Sequence, residues 1–130
     1  MLLLQPVKLE LPWPPSVNHY TKICRNRIIL TPQAREYKKT IELLSIKNKW
    51  PQNCEGRLSA TIEVHPPDKR QRDLDNLFKM ILDALQAANV YANDNQFDLL
   101  ISRRLKPFNN GLIHFTLGTY DTSLFSECLC

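Results

Sequence analysis

The chain has 130 residues, room for one cored domain and not two. With 43% hydrophobic and 23% charged residues it is neither disordered nor a fibrous repeat, and nine prolines against three glycines exclude a flexible Gly-Ser linker architecture. The net charge of +4 is unevenly laid out: Lys22 to Arg72 carries 12 Lys/Arg against 5 Asp/Glu, whereas Asp73 to Cys130 carries 4 against 7. A basic front and an acidic back point to a polyanionic partner and to a cation held by carboxylates.

At the N-terminus, Gln5, Pro6, Lys8 and Glu10 break the apolar run Met1–Leu4, so no signal-peptide core fits, and no 18 apolar residues run together anywhere. The expectation is a soluble, cytoplasmic protein with no membrane partner. The four cysteines, Cys24, Cys54, Cys128 and Cys130, then read as free thiols, and the Cys128-Leu129-Cys130 pair lacks the spacing of a zinc clip.

Val7, Leu9 and Leu11 alternate with Lys8 and Glu10, the period-two pattern of a half-buried strand, which Pro12, Pro14 and Pro15 stop. Ser16-Val17-Asn18 reads as a shaped loop and Ile28–Leu30 as a short edge strand. Thr31-Pro32 is a helix start, with Thr as N-cap and Pro at the first helical position. The stripe Ala34, Tyr37, Ile41, Leu44 predicts a helix that ends by Trp50-Pro51, and Leu58 to Val64 alternates as a second strand. The strongest helical pattern is Leu74, Leu77, Phe78, Ile81, Leu82, Leu85, with Asp75, Asn76, Lys79, Asp83 and Gln86 on the opposite side. After a polar turn over Asn89–Asn95, Leu99–Leu105 and Leu112–Tyr120 read as two strands joined through Pro107–Gly111 as a hairpin. The order predicts a two-layer α/β (α+β) domain over residues 1–130. It has a mixed sheet of four to five strands, two main helices and a variable tail over 121–130.

The chemistry concentrates in Asp68-Lys69-Arg70-Gln71-Arg72-Asp73-Leu74-Asp75-Asn76-Leu77-Phe78-Lys79. Asp73 is placed to cap the helix and Asp75 to sit in its first turn, where the helix dipole favours negative charge. Asp75 and Lys79, four apart, also have the spacing of an ordinary surface ion pair. Those plain readings leave two features over: Asn76 and Asp83 enrich the same side in oxygen donors, and Asp94 stands in the turn just past the helix. Hard cations such as Mg²⁺ take carboxylate oxygens and water, so Asp73, Asp75 and Asp94 form a candidate metal cluster, and repelling carboxylates held together require such a cation. With Lys69, Arg70 and Arg72 adjacent, the matching anion is a phosphodiester.

Leu11-Pro12-Trp13-Pro14-Pro15-Ser16-Val17-Asn18, then Pro67-Asp68, the basic run, Asp73-Leu74-Asp75-Asn76-Leu77, Lys79 and Asp94 resemble the RusA family of Holliday junction resolvases. The resemblance runs from about Leu9 to about Tyr120. It implies Asp73, Asp75 and Asp94 as ligands of Mg²⁺, for which Mn²⁺ can substitute, and Lys79 as the catalytic lysine. It further implies a homodimer that cuts four-way junction DNA symmetrically in recombination and repair. One departure is Asn93, where the best-known members carry a second acid before the last aspartate.

On this reading the metal polarises the scissile phosphate and acidifies a bound water, and Lys79 stabilises developing charge or orients that water. Arg25, Arg27, Lys69, Arg70 and Arg72 are the first candidates for DNA-binding phosphate contacts, which position DNA without reading its bases. Asn18 and Tyr20 could also reach the DNA. Arg35, Lys38, Lys39, Lys47 and Lys49 read equally as a solvated helix face. His19, His65 and His114 read as isolated loop or sheet residues. Two other readings stay open: a non-catalytic structure-specific DNA-binding protein whose carboxylates only cap a helix, and a nuclease for other branched DNA.

Overall fold

The computed structural model describes residues 2–16 and 19–121. Val17, Asn18 and the cysteine-bearing tail, to which the loop, DNA-contact and thiol expectations attach, lie outside those residues. The elements in chain order are β1 (Val7–Leu11), β2 (Thr21–Cys24), β3 (Arg27–Leu30), α1 (Pro32–Lys47), β4 (Leu58–His65), α2 (Asp75–Ala87), a 3₁₀ turn (Asp94–Gln96), β5 (Phe97–Arg104) and β6 (Leu112–Thr119). Four strands form one mixed sheet in the order β1-β6-β4-β5, and β2 with β3 forms a separate two-stranded ribbon. This is the α+β domain the pattern predicted.

The core lies on one side of the sheet because the strands alternate so strictly. In β4, Leu58, Ala60, Ile62 and Val64 are buried while the residues between them are half-exposed. Leu9 and Leu11 of β1 and Ile113, Phe115 and Leu117 of β6 complete that face. Ala34, Tyr37 and Ile41 of α1 and Leu77, Met80, Ile81 and Leu85 of α2 join them in one cluster. Thr31 caps α1 through its hydroxyl, which accepts from the Ala34 amide at 3.2 Å, and Pro32 follows at the first helical position.

One strand expectation is corrected. β5 and β6 are not a hairpin: β4 lies between them, parallel to β5 and antiparallel to β6. The connection over 105–111 therefore crosses the end of β4. Leu105 donates its amide to the Val64 carbonyl and Phe108 to that of Pro66, both at 2.8 Å. The reason is burial: β4 has the most complete apolar face and takes the central place, which leaves the half-polar β5 at the edge. Ile28–Leu30 is a short edge strand as expected, β3, and it pairs with β2, a strand that carries no burial pattern in the sequence, in the separate ribbon.

Candidate active site

Helix α2 starts at Asp75, and Leu74 before it already has helical backbone (φ −64°, ψ −38°) with no side-chain cap. Asp73 therefore does not cap the helix. It stands one residue too early, and its Oδ2 accepts from the Asn76 side-chain Nδ2 at 3.5 Å. Asp75 is exposed in the first turn, as expected. Asp94 opens the 3₁₀ turn, and its amide donates to Gln86 Oε1 at 2.9 Å, which ties the turn to the last turn of α2. Asn93, the departure from the family pattern, caps that turn: its Oδ1 accepts from the Asn95 amide at 2.9 Å while the Gln96 side chain accepts from its own amide at 3.1 Å. An asparagine serves this purpose as well as an aspartate.

Among the described residues no lysine or arginine pairs with Asp73, Asp75 or Asp94. Three carboxylates without protein cations, all exposed or half-exposed, are the donor chemistry of a hard divalent ion. They are not drawn together as they stand: among the described residues no three His, Cys, Asp or Glu side chains form a group that would hold a metal.

Lys79 does not pair with Asp75. Its Nζ lies 3.5 Å from Asp83 Oδ2, and the Tyr20 hydroxyl donates to that same oxygen at 2.9 Å. Tyr20 and Lys79 thus meet at one oxygen of Asp83. Burial, and then the bond to Asp83, pushes the Tyr20 hydroxyl well above its usual titration range. Burial first, and then the charges of Asp94 and Asp83, do the same to Tyr91. That hydroxyl donates to the Leu82 carbonyl at 2.6 Å.

The basic run before the helix is organised around Asp68. Its Oδ1 accepts from the Arg70 amide at 2.9 Å and from Arg72 Nη1 at 2.7 Å, and its Oδ2 faces Arg70 Nη2 at 3.0 Å. Hydrogen bonds from Arg72 first and Arg70 second hold the Asp68 carboxyl well below the usual carboxylate range. The Arg72 guanidinium stacks 5.7 Å over the Trp13 ring, and Arg104 donates to the Arg72 carbonyl. Arg72 is thus a folded strut with a 23%-exposed side chain, whereas Arg70 (81%) reaches solvent and Lys69 is also exposed. Arg25 and Arg27 are exposed at the far end of the β2–β3 ribbon. A cavity of about 610 Å³ opens between Trp13–Ser16, this strut and the first turns of α2, with Asp73 and Asn76 on its wall. The cavity thus joins the proline-rich segment, the basic loop and the start of α2, while Asp75, Lys79 and Asp94 are not on its lining.

Tyr20, Asp68 and Asp83 were not assigned these roles from sequence. For Asp68 a local signal exists, since an aspartate that accepts from the amide two residues on is a common turn device. Nothing local announces the 63-residue separation of Tyr20 and Asp83. The expectation that His65 and His114 are isolated is also corrected. They meet edge to face with ring centroids 5.4 Å apart on the side of the sheet away from the helices, and His65 Nδ1 lies 2.7 Å from the Lys106 carbonyl.

No helix is long and apolar enough to cross a membrane among the described residues. The family model described as "Endodeoxyribonuclease RusA" matches residues 12–112. The chain is 37% identical over 89 residues to the crossover junction endodeoxyribonuclease RusA of Shigella sonnei and, equally, to that of Escherichia coli K12. It is 34% identical over 88 residues to the protein of the same name from Enterobacteria phage 82; each match spans 68% of this chain and 73% of the relative. The matched span takes in the Pro-Trp-Pro-Pro segment, Asp68, the carboxylates, Lys79 and Asp94, and the chain belongs to the RusA family of endodeoxyribonucleases.

Proposed function

We propose that the protein is a Mg²⁺-dependent, structure-specific endonuclease that resolves four-way DNA junctions by paired, symmetric phosphodiester hydrolysis. The observation that carries this reading is the set of three carboxylates, Asp73, Asp75 and Asp94, with which no lysine or arginine pairs among the described residues, together with an exposed lysine on the helix of Asp75 and a basic loop in the segment before it. Asp73, Asp75 and Asp94 would hold the ion, and Mn²⁺ would serve in its place. Bound there, the metal supplies Lewis-acid activation of the phosphate and of a water.

The remaining work falls to the chain itself. Lys79, one turn from Asp75, carries its charge toward the reacting phosphate, and Asp83, held by Tyr20, limits where the ammonium can go. Lys69, Arg70, Arg25 and Arg27 bind backbone phosphates, and Arg72 shapes the loop that presents the first two. Two cuts on opposed strands suit a homodimer with one site per subunit.

The test is incubation of a synthetic four-way junction with the protein with and without Mg²⁺. Paired nicks at symmetric positions that require the metal are expected. Tight junction binding with no nicks would instead support a non-catalytic binding protein, and faster cutting of flaps than of junctions would support a nuclease for other branched DNA.

A further inference from the structure

The β2–β3 ribbon carries a feature that the fold does not use. Ile23 and Ile28 are 79% and 77% exposed, and they face each other as register partners on one side of the ribbon. Two large apolar side chains opposed in this way normally pack against something. The ribbon also bears Lys22, Arg25 and Arg27, and no acid lies between Thr21 and Leu30. Its two-residue turn, Arg25-Asn26, has positive φ at both positions (50° and 62°), the tight connection that matches strand twist and keeps a short ribbon straight.

The base of the ribbon is anchored while its outer residues, Cys24 to Arg27, are exposed. The Thr31 amide donates to the Tyr20 carbonyl at 3.0 Å, Arg35 Nη1 donates to the Leu30 carbonyl at 2.8 Å, and Leu30 packs on the core. Tyr20, directly before β2, holds the Asp83 carboxylate that pairs with Lys79. The ribbon is thus fixed to the helix that carries Asp75 and Lys79.

We infer that the Ile23–Ile28 pair is an apolar wedge that seats against the open faces of the base pairs at a DNA branch point. This inference rests on the proposed function and adds the means by which a junction is told from a duplex. A two-stranded ribbon fits a DNA groove, and apolar side chains enter DNA between base steps. In a continuous duplex that entry requires unstacking a step, whereas at an opened branch point the stack is already interrupted. The apolar pair therefore gains at a junction what it cannot gain on linear DNA. Flanking bases favour DNA over a second copy of the chain, because two such ribbons packed together would oppose three positive charges with three more.

The experiment compares wild type with Ile23→Thr/Ile28→Thr, which keeps β-branched residues in the ribbon and all three bases, and with Ile23→Val/Ile28→Val. Affinity for a four-way junction and for linear duplex is measured in EDTA, together with the fluorescence of 2-aminopurine placed at the branch point. The Thr pair is expected to lose junction affinity about 10- to 100-fold, with duplex affinity within about twofold of wild type and no fluorescence rise on binding. The Val pair is expected to recover most of both signals. A Thr pair with the wild-type junction-to-duplex ratio and fluorescence change overturns the wedge while leaving the nuclease reading intact. Conversion of a dimer to a monomer by the Thr pair in sedimentation, without a change in that ratio, assigns the isoleucines to a protein interface and also overturns it. A wild type that neither prefers nor cuts junctions removes the function and the wedge together.

Discussion

Replacing Gly111 by alanine tests whether the packing behind the candidate site is as tight as its geometry states. Gly111 has φ of +75°, and a Cβ there would lie 2.8 Å from Trp13 Cβ and 3.0 Å from its Cε3 and Cγ. Gly56 is the natural control, since its φ is +83° and a Cβ would meet nothing within 4 Å. At both positions the left-handed backbone costs alanine about 1–2 kcal/mol, offset by about 0.4–1 kcal/mol from the reduced freedom of the unfolded chain. Gly56→Ala should therefore destabilise by no more than about 1.5 kcal/mol. Gly111→Ala adds the steric term, about 1–3 kcal/mol for pushing a large side chain out of a packed position. Trp13 has little room to yield, because Arg72 stacks on its ring and Asp68 holds Arg72. The difference between the two variants, read from urea unfolding midpoints at equal slope, should be about 1–3 kcal/mol. A difference below about 0.5 kcal/mol would show that Trp13 moves freely and that the wall of the 610 Å³ cavity is not a fixed surface.

Four further outcomes are expected. Asp75→Asn abolishes Mg²⁺-dependent nicking while junction affinity, measured by gel shift, is kept or rises, because a charge that repels phosphate is gone; Asp73→Asn and Asp94→Asn behave alike, and wild-type rates in all three would remove the metal site. Tyr20→Phe frees the Asp83 carboxylate and costs about 1–2 kcal/mol in thermal or urea unfolding, with slower nicking than the stability loss explains. Stability should fall in acid partly through Asp68: its depressed folded pKa adds stability that is complete above the unfolded value near ~3.9 and is lost as pH falls below it, so Asp68→Asn should show a flatter melting temperature between about pH 5 and pH 2 than wild type. Arg25→Ala and Arg27→Ala should each lower the slope of log affinity against log salt by about 1, whereas Arg72→Ala should mainly lower stability.

The strands and helices that bury one face were legible because burial leaves a period in the sequence. Val7–Leu11, Leu58–His65 and the α2 stripe are cases, and Thr31-Pro32 marked the start of α1 through two local devices. Strand neighbours were not legible. Leu112–Thr119 alternates whether it pairs with β5 or slips between β1 and β4, and the choice is made by which strand has the most apolar face to surround. The ribbon escaped for the opposite reason: β2 is exposed along its whole length, so it carries no burial period at all. In the site, the carboxylates and Lys79 were visible as a motif, but the partner of Lys79 was not. Spacing offers Asp75 and Asp83 equally, and it is Asp83, bonded also by a tyrosine 63 residues away, that the lysine meets in the fold.

The change of sign between Arg72 and Asp73 acquires a physical meaning that a charge count cannot supply. Counted in the sequence, Lys69, Arg70 and Arg72 are three equal bases before an acidic helix. In the fold they divide, because Asp68 binds one arginine on each carboxylate oxygen and the two arginines end differently. Arg72 is drawn onto the Trp13 ring and has its backbone held by Arg104, so its charge serves the loop. Arg70 and Lys69 stay at the surface, where a phosphate can reach them. The loop therefore uses the Asp68 pairs to set the direction of its side chains, and among the described residues no arginine pairs with Asp73 or Asp75. An arginine that paired with those carboxylates would compete with a metal for the same oxygens; by occupying itself with Asp68, the basic run stays next to the acidic helix without neutralising it.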